Sequence, residues 1–343
     1  MKPITLLICS YFEPQHVEDI CKRFPQIEVV NEPDLLPKPQ FAADHAGLPL
    51  SRSEQDQARW EGLLEQADIC FDFDRITPQV QRNAPNLRWI QATSSGIGQF
   101  AKQHGFAETD ITLTNAAGIH ARPLAEFVLW AMLAFTKDYP RARQQQRDHV
   151  WQRFSASELT GKTLAVVGLG RIGQEVARLA KLMDMKVIGS KRNITNVQAD
   201  ELYVDALYKA EDVLELAALA DYLCLVVPHT DDTEHLVSTE VLAAMKPEAV
   251  LINIGRGALV DEGALVDALE QNQLAGAVLD VAAEEPLQKT SPLWDMDNVI
   301  IFPHSASTSV RENARLTELL CDNLERYLTG KPLRNVVDVT RLY

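Results

Sequence analysis

Residues Thr163–Arg192 read TLAVVGLGRIGQEVARLAKLMDMKVIGSKR, and the fold follows from how this stretch divides. Leu164 to Val167 is an apolar run that enters a turn with glycines at 168, 170 and 173. Val176, Leu179, Ala180 and Met183 then recur at helical spacing, and a second apolar run spans Val187 to Gly189. Strand, glycine turn, helix and strand in that order give the G-x-G-x-x-G pattern the context of a dinucleotide site. Gly168 permits the tight turn, Gly170 lets backbone approach a pyrophosphate, and Gly173 lets helix and strand pack closely. The free amides at the helix start, aided by the helix dipole, face the phosphates.

The end of the second strand bears on which dinucleotide is held. Sites for NAD carry an Asp or Glu about 20 residues into the motif, on the ribose 2′-hydroxyl. Ser190, Lys191 and Arg192 stand there instead. A carboxylate repels a 2′-phosphate, whereas a hydroxyl and two cations accept it, Arg bidentately. The residues therefore predict a preference for NADP(H), with NAD(H) still possible. Two solvated surface cations are the competing reading.

At 343 residues the chain calls for two domains. Its 46% hydrophobic and 24% charged content is that of a soluble globular protein. A net charge of −15 argues against a nucleic-acid or anionic-membrane surface, though local cations can still hold a small anion. The five cysteines are scattered and never form C-x-x-C, so neither a metal site nor a disulfide framework is expected. No stretch approaches the roughly 20 apolar residues of a membrane span, and the run Ile4 to Cys9 is too short for a signal peptide. A cytoplasmic protein is expected.

Strands are predicted at Ile4–Ser10, Ile27–Val30, Ile69–Phe71, Trp89–Ala92 and Ile111–Asn115, with helices at Gln15–Phe24 and Ser53–Gln66. This makes a small α/β unit, in which Asn31–Leu50, with four prolines, is a loop. Arg122–Lys137 is a nearly all-apolar helix, followed by a basic stretch, Arg141–Arg153, that holds Trp151. The pair reads as a dimer interface or as a buried interior helix. Beyond the glycine turn, strands at Tyr222–Val227, Val250–Asn253, Ala277–Val281 and Val299–Phe302 alternate with helices at Asp212–Ala218 and Asp261–Gln271. Such alternation implies a doubly wound parallel sheet, with ligands beyond the carboxyl ends of its strands. Arg256, Asp280, Glu285 and His304 all fall at or just after strand ends. A last helix, Val310–Tyr327, is expected to return to the N-terminal unit.

At five ordered blocks the chain resembles the D-isomer-specific 2-hydroxyacid dehydrogenase family. They are Val166-Val167-Gly168-Leu169-Gly170-Arg171-Ile172-Gly173, Val227-Pro228-His229-Thr230, Asn253-Ile254-Gly255-Arg256-Gly257, Leu279-Asp280-Val281 with Glu285-Pro286-Leu287, and Pro303-His304. The resemblance implies a Rossmann-type domain, residues 118–307, inserted into a smaller flavodoxin-like α/β substrate domain, residues 1–117 with 308–343. It implies cofactor contacts from the glycine turn with Arg171 and Ile172, from Ser190, Lys191 and Arg192, and from Val227, Pro228 and Thr233. Ile254, Gly255, Arg256, Asp280, His304 and Ala306 complete that set.

It further implies a catalytic trio. His304 is the general acid in reduction, Glu285 orients its ring, and Arg256 grips the carboxylate and keto oxygen of a 2-keto acid; imidazole suits such proton transfer. Asp280 lies near the nicotinamide. The loop Thr93–Gly98, through Ser95, Gly96 and Ile97, receives the substrate carboxylate, and Trp151 resembles a tryptophan that reaches a neighbouring subunit's pocket. Two departures stand out: Gly98-Gln99-Phe100 lacks the usual acidic residue, and Ser305-Ala306-Ser307 replaces a glycine pair. His120 and His149 have no evident partner in sequence. The implied activity is NADP(H)-linked reduction of glyoxylate, hydroxypyruvate or a similar acid by a homodimer without metal. Phosphoglycerate is disfavoured because no regulatory domain or extra basic cluster is seen. A nicotinamide-sensing binding protein or corepressor on the same fold is the alternative.

Overall fold

The computed structural model describes residues 3–74, 76, 83–195 and 197–339. It comprises two compact units, Met1–His120 with Thr308–Tyr343, and Ala121–Ser307.

The first unit holds a five-stranded sheet of β1 (Ile4–Ile8), β2 (Ile27–Val30), β3 (Ile69–Phe71), β4 (Trp89–Gln91) and β5 (Thr112–Thr114). Its order is β2-β1-β3-β4-β5, with every pair parallel, which is the flavodoxin-like arrangement. Ser53 caps the helix Glu54–Leu64 by accepting the Asp56 amide, and Trp60 and Leu64 of that helix join the core on one sheet face. The final helix, Glu312–Leu328, covers the other face: Leu316, Leu320 and Leu324 pack with Leu6, Ile8 and Trp89. Asn323, fully buried on that helix, donates to Gln91 Oε1 and to the Arg334 carbonyl, and accepts the Arg334 amide. One asparagine thus ties helix, sheet and C-terminal segment together, leaving none of its polar atoms without a partner.

The second unit is a seven-stranded parallel sheet in the order β12-β11-β10-β9-β6-β7-β8. The strands are β6 (Thr163–Val167), β7 (Lys186–Lys191), β8 (Ala206–Lys209), β9 (Tyr222–Leu225), β10 (Val250–Asn253), β11 (Gly276–Leu279) and β12 (Val299–Ile301). Strand order reverses between β6 and β9, so the glycine turn after β6 opens at the switch point where such sheets bind ligands. Apolar clusters cover both faces, one containing Val166 and Val187 and the other Val167 and Ile188, as the alternation of side chains across a strand requires.

The helix Ala121–Thr136 buries Leu124, Val128, Ala131 and Met132 in its own chain's core, while Trp130 is 39% exposed. Phe302 meets both Phe127 and Trp130 edge-on, with centroids 4.8 and 5.4 Å apart. The basic stretch after it begins as a helix, Tyr139–Arg147, with no buried residue. That helix escapes sequence reading because it carries no apolar period, and β8 because its Ala206-Leu207-Tyr208 run is short and only partly buried at the sheet edge.

Candidate active site

The glycine turn divides into positions the protein itself requires and one it does not. Gly168 has φ +107, and a Cβ there sits 2.7 Å from Val227 Cγ1 and 3.0 Å from the Val226 carbonyl oxygen. A Cβ on Gly173 meets the Gly168 carbonyl oxygen at 2.1 Å. Around Gly170, by contrast, nothing lies within 4 Å, and the helix Arg171–Lys181 starts immediately after it. Packing explains two glycines; the third leaves room for something outside the chain, at helix amides that suit an anion. These residues fit a dinucleotide pyrophosphate. Gly170→Ala is expected to leave the apoprotein's melting temperature within about 2 °C of the parent while weakening dinucleotide binding about tenfold or more. Thermal denaturation with a fluorescence titration of NADPH checks both halves.

Ser190 is buried, and its carbonyl accepts the Gly168 and Leu169 amides, tying the end of β7 to the turn. Lys191 reaches back so that Nζ donates to the Leu169 carbonyl at 3.1 Å, and Arg192 follows it on the surface. Lys191 therefore stands beside the glycine turn. Ile172 packs against the core, Ile254 is buried, and Arg171 is exposed at the helix start. Val227 lies under Gly168 and is followed by exposed Pro228. Thr233 closes the loop behind them: its hydroxyl accepts the Thr230 amide and donates to the Pro228 carbonyl, each at 2.8 Å.

Three neighbouring strand ends, β10, β11 and β12, carry the remaining polar groups. Asn253, the last residue of β10, accepts the Gly255 amide on Oδ1 and donates through Nδ2 to the Arg256 carbonyl. It shapes the turn that presents exposed Arg256. Sequence reading quoted Asn253 without assigning it this task; an asparagine at a strand end just before Ile-Gly was the available signal. The Arg256 guanidinium donates to the Gly255 carbonyl at 2.7 Å, and among the described residues it pairs with neither Glu285 nor His304. Gly257 packs onto the next strand's loop so closely that a Cβ there would lie 1.9 Å from the Ala282 carbonyl oxygen.

Asp280 follows β11 and is buried. Its Oδ1 accepts the Ser305 and Ala306 amides at 2.8 and 2.9 Å, and its carbonyl accepts the His304 amide. Burial pushes this carboxyl above its ordinary range, against the opposing pull of those two amides and the His304 ring. Asp280 thereby builds the turn that holds His304 at φ +52. His304 Nδ1 lies 2.8 Å from Glu285 Oε2, while Glu285 Oε1 accepts the Ala282 amide. At 44% and 40% exposure this pair faces solvent with Nε2 open to a ligand. Beside it lies a mostly apolar cavity of about 410 Å³, lined in part by Phe302, Pro286 and Trp294.

In the first unit, the carbonyls of Ser94 and Ser95 are both held inward, by the Ala116 amide and by Asn115 Nδ2. In a trans peptide the N–H points opposite its C=O, so the amides of Ser95 and exposed Gly96 are turned outward as a pair. Ile97 is buried and anchors the loop from below. Two successive outward amides form a concavity suited to a carboxylate. His120, without a partner in the sequence reading, lies 3.2 Å from Ser95 Oγ through Nδ1 and 3.2 Å from Glu312 Oε1 through Nε2. Trp151 is 98% exposed and touches none of these groups within its own unit.

A family model described as the NAD-binding domain of D-isomer-specific 2-hydroxyacid dehydrogenases matches residues 129–306. The glyoxylate reductase of Aeropyrum pernix is 34% identical, over 81% of this chain and 86% of its own. The glyoxylate/hydroxypyruvate reductase B of Pectobacterium carotovorum is 31% identical, over 98% of both chains. Among solved structures, a D-isomer-specific 2-hydroxyacid dehydrogenase family protein from Aeromonas salmonicida superposes with a TM-score of 0.80 at 30% identity, covering 98% of this chain and 100% of that one. The glycine turn at the switch point and the row of polar strand ends agree with these likenesses: the chain belongs to the D-isomer-specific 2-hydroxyacid dehydrogenase family of NAD(P)-dependent oxidoreductases.

Proposed function

We propose that this protein reduces small 2-keto acids, glyoxylate and hydroxypyruvate foremost, to D-2-hydroxy acids, with NADPH preferred over NADH. The observation that carries the reading is the 2.8 Å contact between His304 Nδ1 and Glu285 Oε2, which leaves Nε2 facing outward. A bound nicotinamide supplies the hydride. The chain's own part is to hold the acid and deliver a proton. Glu285, fixed by the Ala282 amide, accepts from Nδ1 and sets the ring's orientation. Nε2–H then donates its proton to the carbonyl oxygen as hydride reaches the carbon. Arg256 offers a planar pair of donors for the carboxylate and carbonyl oxygen. Within the first unit, the outward amides of Ser95 and Gly96 offer donors that suit a carboxylate. Asp280 keeps the His304 turn in shape. Exposed Trp151, Trp130 and Tyr139 support a homodimer.

The NADPH preference rests on Lys191 beside the glycine turn and on exposed Arg192 next to it in sequence, with no carboxylate at the end of β7. Replacing both with alanine is expected to raise KM for NADPH about 10- to 100-fold, the worth of one or two charge-assisted hydrogen bonds, and KM for NADH by less than about threefold. Equal losses for the two cofactors overturn the assignment. The activity itself is tested by initial rates over a panel of 2-keto acids with each cofactor. Tight NADPH binding without turnover of any acid would point instead to a nicotinamide-sensing protein.

A further inference from the structure

Ser95 Oγ, His120 and Glu312 form a polar chain inside the first unit that runs from the 94–97 loop to the first turn of the closing helix. Its members are enclosed: the His120 and Glu312 side chains are 14% and 9% exposed. Ser95 is held on both sides, its carbonyl by Asn115 Nδ2 and its hydroxyl by His120 Nδ1 at 3.2 Å. The groups that face this histidine can be named element by element. From the closing helix comes Glu312. From the segment after the first helix comes His45, with Nε2 4.0 Å from the same Glu312 oxygen, Nδ1 3.4 Å from Ser10 Oγ and its ring against Phe12. One step further out, Asn313 donates to Glu13, which lies 3.7 Å from His16. Asp44, next to His45, turns its carboxylate onto the amides of Gln40, Ala46 and Gly47. Among the described residues no group of three or more His, Cys, Asp or Glu is arranged to hold a metal ion.

Two proton inventories satisfy it. In both, Nε2–H donates to Glu312. With Nδ1 bare, Ser95 must donate its hydroxyl proton to the ring, and its oxygen then faces outward as an acceptor. With Nδ1 protonated, the ring donates to Ser95 Oγ, and the hydroxyl proton turns outward as a donor beside the Ser95 and Gly96 amides. A carboxylate is acceptor-only and tolerates the second arrangement alone. We infer that His120, backed by Glu312, is a positioning residue that sets the polarity of the Ser95 hydroxyl, so that the 94–97 loop takes one proton from solvent onto Nδ1 when it takes the substrate's carboxylate. The inference rests on the reading of that loop as the carboxylate subsite. By linkage its sign is determined: the substrate binds the form that carries the extra proton, so affinity falls as pH rises.

The full-length enzyme is assayed with glyoxylate and saturating NADPH from about pH 5.5 to 9. In His120→Gln, KM at low pH is expected to rise about tenfold and its dependence on pH to flatten, while kcat stays within about threefold. Ser95→Ala, a change at the loop surface, should raise KM similarly, and the Ser95→Ala/His120→Gln pair should be no worse than either change alone. Glu312→Gln, which preserves the side chain's shape, should move KM in the same direction. A KM that keeps its pH dependence in His120→Gln, or additive losses in the double variant, overturns the inference while leaving the reductase reading intact. No turnover by the parent enzyme with any 2-keto acid removes that reading, and the inference with it.

Discussion

His304→Ala loses about a thousandfold in kcat and binds NADPH with a Kd within about threefold of the parent. The size follows from what a positioned acid contributes to a proton transfer, about 10² to 10⁴. The separation of the two effects follows from geometry. The His304 backbone, not its ring, is what the Asp280 carbonyl holds, and the Ser305 and Ala306 amides stay on Asp280 Oδ1 whatever side chain precedes them. Removing the imidazole therefore removes the proton donor without releasing the turn. Glu285→Gln should fall between the extremes, at about 10- to 100-fold in kcat, since the amide still reaches Nδ1 but donor and acceptor must be reassigned. Stopped-flow reduction of glyoxylate with a fluorescence titration of NADPH checks both. An His304→Ala enzyme keeping a tenth or more of parental kcat would end the case for this residue as the acid.

Gly257→Ala is the second large effect, and it strikes fold and chemistry together. The added methyl meets backbone on three fronts: the Ala282 oxygen at 1.9 Å, the Ala282 carbonyl carbon at 2.0 Å and the Ala283 nitrogen at 2.4 Å. No side chain can swing aside to admit it, so the two loops must part. We expect a destabilisation of about 2–4 kcal/mol, seen as a fall in melting temperature of about 5–15 °C. Activity should drop at least about 100-fold at a temperature where the protein is still folded, because the displaced segment is the one whose Ala282 amide holds Glu285. Gly263→Ala, six residues on, is the control. Its methyl has only Asp261 Oδ1 nearby, at an ordinary 3.5 Å, and in the helix Glu262–Glu270 alanine should be neutral or stabilising by about 0.5–1 kcal/mol. A Gly257→Ala protein that melts and turns over like the parent would contradict the packing described.

What could be read from sequence was what period and spacing encode. The glycine turn, the apolar strands and the chemistry gathered at their carboxyl ends are local or periodic signals, and β10 falls on Val250–Asn253 in both readings. What escaped depends on partners far apart along the chain. His120 and Glu312 are separated by 192 residues, and no pattern of apolar residues announces that they meet. The same holds for Thr136 and Tyr222, whose hydroxyls lie 2.6 Å apart in the core. Sequence could nominate Lys191 as a phosphate ligand but could not foresee that its ammonium rests on the Leu169 carbonyl, since that requires knowing how the turn folds back on β7. The motif already gave the three glycines of the turn separate tasks, and the surroundings of a missing Cβ agree: Gly168 and Gly173 are closely packed, while around Gly170 nothing lies within 4 Å.

The first unit is built from both ends of the polypeptide, and this has a consequence for its biosynthesis. Residues 121–307 emerge from the ribosome as one uninterrupted run holding all seven of their strands. The sheet β1–β5 emerges earlier, yet the face bearing Leu6, Ile8, Phe71 and Trp89, covered in part by Ile20 and Phe24, lacks Leu316, Leu320 and Leu324 until Glu312–Leu328 has been made. The later-born unit can therefore mature first, while the earlier-born one waits with part of an apolar flank uncovered. A cell making this protein must shelter that part of the flank until the codons for Glu312–Leu328 are read.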